Sequence, residues 1–125
     1  MILIDNHSRV PIYEQIKEQI IMLVNTGVYK PNDKLPSIRS LSNMLNINVN
    51  TIKHALAELE ADGIIFTAQG KGIFVSETAV GNKKVVTDSL EDIRITLASG
   101  KSKGVTEKQA IDLVKEIYKA GDTND

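Results

Sequence analysis

The 125-residue sequence contains no cysteine, which excludes disulfides, thiolate zinc sites, iron–sulfur clusters and cysteine nucleophiles together. No apolar run approaches the ~20 residues that a membrane-spanning helix needs, so no membrane partner is expected. The first ten residues carry Asp5, Asn6 and His7 where a secretory signal would need an apolar stretch, and the expected location is cytoplasmic. A surplus of positive charge is missing too. A formal net charge of -1 argues against a chain that coats nucleic acid through bulk charge, so any such binding is expected to rest on local groups. Histidine is scarce: His7 and His54 are the two in the chain, and neither has ligand-spaced or catalytic partners. No metal, no cofactor and no enzyme activity are therefore expected. There is no internal repeat or low-complexity tract.

What is present is ordinary globular composition, 42% hydrophobic and 25% charged, arranged with clear helical periodicity. Single cores are built from ~100–150 residues, so this length allows one domain and an appendage. From Pro11 to Thr26, Ile12, Ile16, Ile20, Leu23 and Val24 recur at three- and four-residue steps. Pro11 suits the first turn of such a helix and Gly27 its stop. Pro31, Asn32, Asp33 and Pro36 favour a loop over Val28 to Pro36. Ser37 then caps a second helix with Ile38, Leu41 and Leu45 inward and Asn46 at its end. Asn48 caps a third, running to about Asp62 with Ile52, Leu56 and Leu59 inward and Gly63 as the stop. Between the second and third helices only Asn46 to Asn48 remain, the short connection of a helix-turn-helix pair.

Ile64 to Ala68 and Gly72 to Val75 are β-branched and aromatic segments around Gln69-Gly70-Lys71, and read as a hairpin. The expected fold is therefore mainly α with a small β-hairpin: a winged helix-turn-helix over residues 1–76. Residues 77–87, with Gly81, Asn82, Lys83 and Lys84, read as a linker, and 88–121 as a two-helix dimerisation tail. In the tail Asp88 with Glu91 resembles a capping box opening a helix that ends near Gly100, and Thr106 with Gln109 opens another. Gly100 to Gly104 reads as the turn joining them.

Several motifs agree in order and spacing with one family. These are Pro11-Ile-Tyr-Glu-Gln-Ile, Leu35-Pro-Ser-Ile-Arg-Ser-Leu, Asn50-Thr-Ile-Lys-His-Ala-Leu, Leu59-Glu-Ala-Asp-Gly-Ile-Ile and Gly70-Lys-Gly-Ile-Phe-Val. Together they make Pro11 to Val75 resemble the DNA-binding domain of the GntR family of bacterial transcription regulators. The opening Pro-Ile-Tyr and the short tail resemble the YtrA-type subfamily, which implies a compact homodimer without a large effector domain, and repression, commonly of transport-related genes. Ile38 before Arg39, and Asn50 and Lys53 in the third helix, depart from the common pattern, so an operator sequence does not carry over.

In a helix-turn-helix the second helix enters the major groove. Here its polar residues are Asn48, Asn50, Thr51, Lys53 and His54, with Asn50, Thr51 and Lys53 the foremost candidates for base contact. Asparagine pairs bidentately with adenine, and lysine donates to guanine or phosphate. A merely solvated helix face would carry similar residues; the short turn and the family resemblance favour DNA. Ser37 and Arg39 open the second helix, where free N–H groups and the positive dipole end attract phosphate. Capping alone also accounts for Ser37. Gln69, Gly70 and Lys71 form the wing tip, with Gln69 or Lys71 directed at the minor groove. Without a strand-loop-helix context the same glycines do not suit a nucleotide phosphate.

The expected partners are double-stranded DNA and a second copy of the chain. Leu90, Ile93, Leu97, Ile111, Val114 and Ile117 are the tail positions expected to be buried, between subunits or within one. The tail is too small for a separate ligand domain of ~100 residues, which leaves a small-molecule effector at the dimer interface open. The competing reading is a winged-helix protein–protein interaction module using Tyr13, Tyr29 and helix 1. Such a module has no need for Arg39, Lys53 and Lys71 together.

Overall fold

The structure, a computed structural model, describes residues 2–121. Its elements run α1 (Ile12–Asn25), α2 (Ile38–Leu45), α3 (Val49–Ala61), β1 (Ile65–Ala68), β2 (Gly72–Val75), α4 (Lys83–Ser102) and α5 (Glu107–Gly121). This is the mainly helical order with one hairpin that the periodicity predicts. The chain divides into two compact units, Met1–Val85 and Val86–Asp125.

In the first unit each helix turns its apolar stripe inward. Ile16, Ile20 and Val24 of α1, Leu41 of α2, and Ile52, Ala55 and Leu59 of α3 are buried, and Ile64, Ile65 and Val75 from the hairpin close the core. Fully burying one such aliphatic side chain stabilises the fold by ~1.5–3 kcal/mol. Gln15 is the buried polar residue on α1. Its Oε1 accepts from Asp5 N at 2.8 Å, and its Nε2 donates to Asp5 O at 3.0 Å and Val10 O at 2.9 Å, so burial costs no hydrogen bond and ties residues 5–10 to α1.

The helix ends use local chemistry. Ser37 Oγ accepts from Ser40 N at 3.0 Å, and Asn48 Oδ1 accepts from Asn50 N at 2.7 Å. Asn46 takes a left-handed φ of 55° to turn α2 into α3, which asparagine tolerates better than other side chains. At the far end of α3, Gly63 has φ 82°. The N–H of Ile64 reaches back to Leu59 O at 2.9 Å and that of Gly63 to Glu60 O at 3.0 Å, the double closure that sends the chain directly into β1.

β1 and β2 pair antiparallel in the register Ile65↔Val75, Phe66↔Phe74, Thr67↔Ile73 and Ala68↔Gly72. Residues 32–35, expected as loop, lie along the outer edge of β2. Leu35 N donates to Ile73 O at 2.8 Å, Val75 N to Asp33 O at 2.9 Å and Asn32 N to Val75 O at 2.7 Å, and Lys34 bridges Phe74. The edge of β2 is thereby paired, and the segment leading into α2 is fixed to the wing.

The start of α4 differs from the sequence reading. α4 starts at Lys83, more than a turn before Asp88, because Asn82 Oδ1 accepts from Lys84 N and Val85 N at 3.1 and 3.2 Å. Asn82 is itself held by donating to Asp62 O at 3.0 Å and Thr78 O at 2.9 Å. Within the stretch expected as linker, Ala79 is fully buried and Thr78 Oγ1 donates to Gly63 O at 2.7 Å, so its first residues pack on the first unit. α4 runs to Ser102, close to the end expected near Gly100, and the reversal falls at Gly104 with φ 100°, inside the expected turn.

In the second unit the reciprocal cap at α5 is formed as its sequence suggests. Thr106 N donates to Gln109 Oε1 at 2.9 Å and Gln109 N to Thr106 Oγ1 at 3.1 Å. Val86, Leu90, Ile93 and Leu97 of α4 follow steps of four, three and four residues, so they share one face. Each is 44–56% exposed, and Ile111, Val114 and Ile117 of α5 are 46–60% exposed.

Candidate nucleic-acid interface

α3 is held from behind. Ile52, Ala55, Leu56 and Leu59 are buried, which leaves Asn50, Lys53, His54 and Ala57 on the outward side, all exposed. Thr51 is half-buried and shares the flank of Glu58, seven residues on, where α3 meets α1. Asn48 is exposed, but its side-chain oxygen is occupied by the cap to Asn50 N. Of the sequence-predicted residues on this helix, Asn50 and Lys53 therefore face outward without a cap or ion pair among the described residues.

His54 has a second set of partners. Its ring stacks on Tyr13 of α1 with centroids 4.0 Å apart and planes at 21°. Its Nε2 lies 2.8 Å from Glu58 Oε2, and Glu58 Oε1 accepts from Lys17 Nζ at 2.6 Å. The result is a Tyr13–His54–Glu58–Lys17 cluster that fastens α3 to α1. The hydrogen bond from Lys17 holds the Glu58 carboxyl below the usual carboxylate range, against a smaller opposing effect of burial. Burial works to lower the Lys17 ammonium, but its hydrogen bond to Glu58 and the charges of Glu14, Glu58 and Asp62 together raise it. Burial and the nearby Glu14 and Glu58 push the Tyr13 phenol up.

Ser37 caps α2, and its Oγ is also 3.0 Å from Ser40 Oγ. Arg39 lies exposed in the first turn beside it. The wing tip turns at Gln69 and Gly70, with Lys71 N donating to Ala68 O at 2.9 Å and Gly70 at φ 78°, a left-handed value that favours glycine. Gln69, Gly70 and Lys71 are all exposed. Phe66 and Phe74 stack at 5.6 Å and stiffen the wing.

The groove between α2 and the wing brings Ser37 and Ile38 together with Thr67, Gly72, Ile73 and Lys34. Lys34 is a basic residue of this groove that the sequence reading did not single out. Its stem crosses Gly72, where a β-carbon would lie 2.7 Å from Lys34 Cε; its backbone bridges Phe74, and it lines the same groove as Ser37, the cap of α2. Its position directly before Leu35-Pro36-Ser37 was the available signal, but pairing with β2 is a long-range contact that periodicity does not register. Among the described residues no group of three or more His, Asp or Glu side chains is placed to hold a metal ion, and no helix is long and apolar enough to cross a membrane.

Three helices, a tight turn between the second and third, and a hairpin wing define a winged helix-turn-helix protein. Residues 12–75 match the model of the bacterial regulatory proteins of the gntR family. The HTH-type transcriptional repressor YtrA of Bacillus subtilis is 38% identical over 133 aligned residues, with all of both chains covered. Among solved structures, a transcriptional antiterminator from Listeria monocytogenes superposes with a TM-score of 0.83 at 30% identity, covering 94% of this chain and 90% of that one. The DNA-binding domain of AraR in complex with its operator ORX1 superposes with a TM-score of 0.55 at 30% identity, covering 59% of this chain and 93% of that one. The chain belongs to the GntR family, and its likeness to YtrA over the full length puts it with the short, YtrA-type members.

Proposed function

We propose that the protein is a cytoplasmic transcriptional repressor, without enzyme activity, that binds a palindromic DNA operator as a homodimer. The observation that carries this reading is the outward face of α3, where Asn50 and Lys53 stand exposed on a helix whose other side is locked into the core. Asn50 and Lys53 contact base edges, with Thr51 and Asn48 at the margin of that contact. Ser37 and Arg39 at the start of α2 hold a phosphate, and Lys34, which lines one groove with Ser37, adds a second cation. Gln69, Gly70 and Lys71 follow the adjacent backbone and minor groove. His54 contributes its exposed ring edge from within its cluster with Tyr13 and Glu58.

The tail supplies the second copy. Leu90, Ile93, Leu97, Ile111, Val114 and Ile117 leave about half of their surface open within one chain, and a two-fold partner covers it while doubling the DNA contacts. A crevice of about 580 Å³ between α4 and α5, lined in part by Leu97, Val105, Ala110 and Leu113, has the volume of a small-molecule site and is the place in the tail that suits an effector.

The test is a titration of fluorescent duplex from upstream of the protein's own gene against a scrambled duplex of equal length, at two salt concentrations, with an Arg39→Ala/Lys53→Ala variant alongside. Selective binding that weakens with salt and is lost in the variant supports the reading. Failure to bind that duplex, followed by failure to enrich any sequence from genomic DNA, would refute it.

A further inference from the structure

Val49 is a branched apolar residue at the first position of α3, directly after the Asn48 cap, and it is 39% exposed while Ile52, three residues on, is fully buried. The first turn of a recognition helix reaches base edges ahead of the rest. Two polar groups there are already committed: Asn48 Oδ1 and Asn50 N bond to each other at 2.7 Å. That cap fixes the backbone of the turn, and with it the directions of the Val49 and Asn50 side chains. The Asn50 carboxamide carries no hydrogen bond among the described residues, and Val49 keeps about two fifths of its surface open, 39%, within the chain.

The chemistry of the major groove offers one apolar partner at a base edge, the C5-methyl of thymine. A side-chain carboxamide matches the N6/N7 edge of adenine. We propose that Val49 is a specificity-determining residue that packs on the C5-methyl of a thymine, next to a base pair whose adenine edge takes the Asn50 carboxamide. This rests on the reading of α3 as the base-reading helix. It gives each half-site an A·T pair under Asn50 and a neighbouring thymine whose methyl group, not its hydrogen-bonding edge, is what Val49 recognises. Lys53, one turn further along, contacts guanine or phosphate outside that pair.

The experiment uses the full chain. A pool of randomised duplexes is enriched on the wild-type protein, and each thymine of the enriched half-site is then replaced singly by deoxyuridine, which deletes the methyl and nothing else. At one position wild-type binding falls about fourfold, the equivalent of one buried methyl group. In Val49→Ala the same replacement changes affinity by less than about 1.5-fold, while Val49→Ala binds the uracil duplex nearly as well as wild type does, which excludes misfolding as the cause. If deoxyuridine lowers wild-type binding at no position, or lowers it equally in Val49→Ala, the assignment of Val49 is wrong and the DNA-reading role of α3 stands. If the wild-type protein enriches no sequence, both fall.

Discussion

Ile93→Ala offers the sharpest view of the tail. Ile93 is 51% exposed in the chain, so about half of the ~1.5–3 kcal/mol for full burial of an isoleucine side chain is still to be gained on covering it. A two-fold interface contains the position twice, and the change therefore removes ~1.5–3 kcal/mol from dimer formation, a roughly ten- to hundredfold weaker association constant. Alanine is the better helix former, so α4 itself is not weakened. Ile95, 60% exposed but two residues off the Leu90–Ile93–Leu97 face, is the control, and Ile95→Ala leaves association unchanged. Sedimentation equilibrium over a wide concentration range measures both variants. A wild-type chain that is monomeric at tens of micromolar, or equal loss in the two variants, would refute the assignment of this face.

Gly63→Ala forces a β-carbon into a left-handed residue with φ 82° and against Thr78 Oγ1 at 3.4 Å, and costs ~1–2 kcal/mol, which thermal unfolding reads as a drop of roughly 4–8 °C per kcal/mol for a unit of this size. Ser37→Ala removes the cap on Ser40 N and lowers stability by ~1 kcal/mol, and urea unfolding shows a lower midpoint with an unchanged slope. The Glu58 carboxyl has its folded pKa lowered by Lys17, so its contribution is present above the ordinary carboxylate value of about 4.5 and is lost as pH falls through the lower folded value. The Lys17 ammonium is raised, so its contribution holds below about pH 10.5 and is lost as pH rises through the folded value. Glu58→Gln therefore unfolds at a lower temperature than wild type at neutral pH, and the gap closes below about pH 4.5; a gap that stays constant into acid would deny the ion pair its role.

The parts of the fold that the sequence made legible are those set by neighbours along the chain. The stripes Ile16–Ile20–Val24 and Ile52–Leu56–Leu59, the caps Ser37 and Asn48, the stop at Gly63 and the paired cap Thr106–Gln109 all follow from local spacing, and all are found in the structure. The start of α4 was not legible, because Asp88 and Glu91 match a capping pattern while Asn82 owes its position to Asp62 O and Thr78 O. The pairing of residues 32–35 with β2, and Lys34 with it, depends on contacts some forty residues apart. His54 reads in sequence as one more polar residue on α3, and only the packing of α1 against that helix brings it onto Tyr13 and Glu58.

The central claim is that α3 reads bases while the start of α2 holds the backbone. It is tested most directly by comparing Arg39→Ala and Asn50→Ala on an enriched operator, on the same operator with one base pair changed at a time, and on unrelated DNA, across a salt series. Arg39→Ala is expected to weaken every duplex about equally and to lower the salt slope by about two ions, one for each subunit of the dimer, whereas Asn50→Ala keeps the slope and loses the preference at one base pair of each half-site. Equal losses on every sequence for both variants would contradict it.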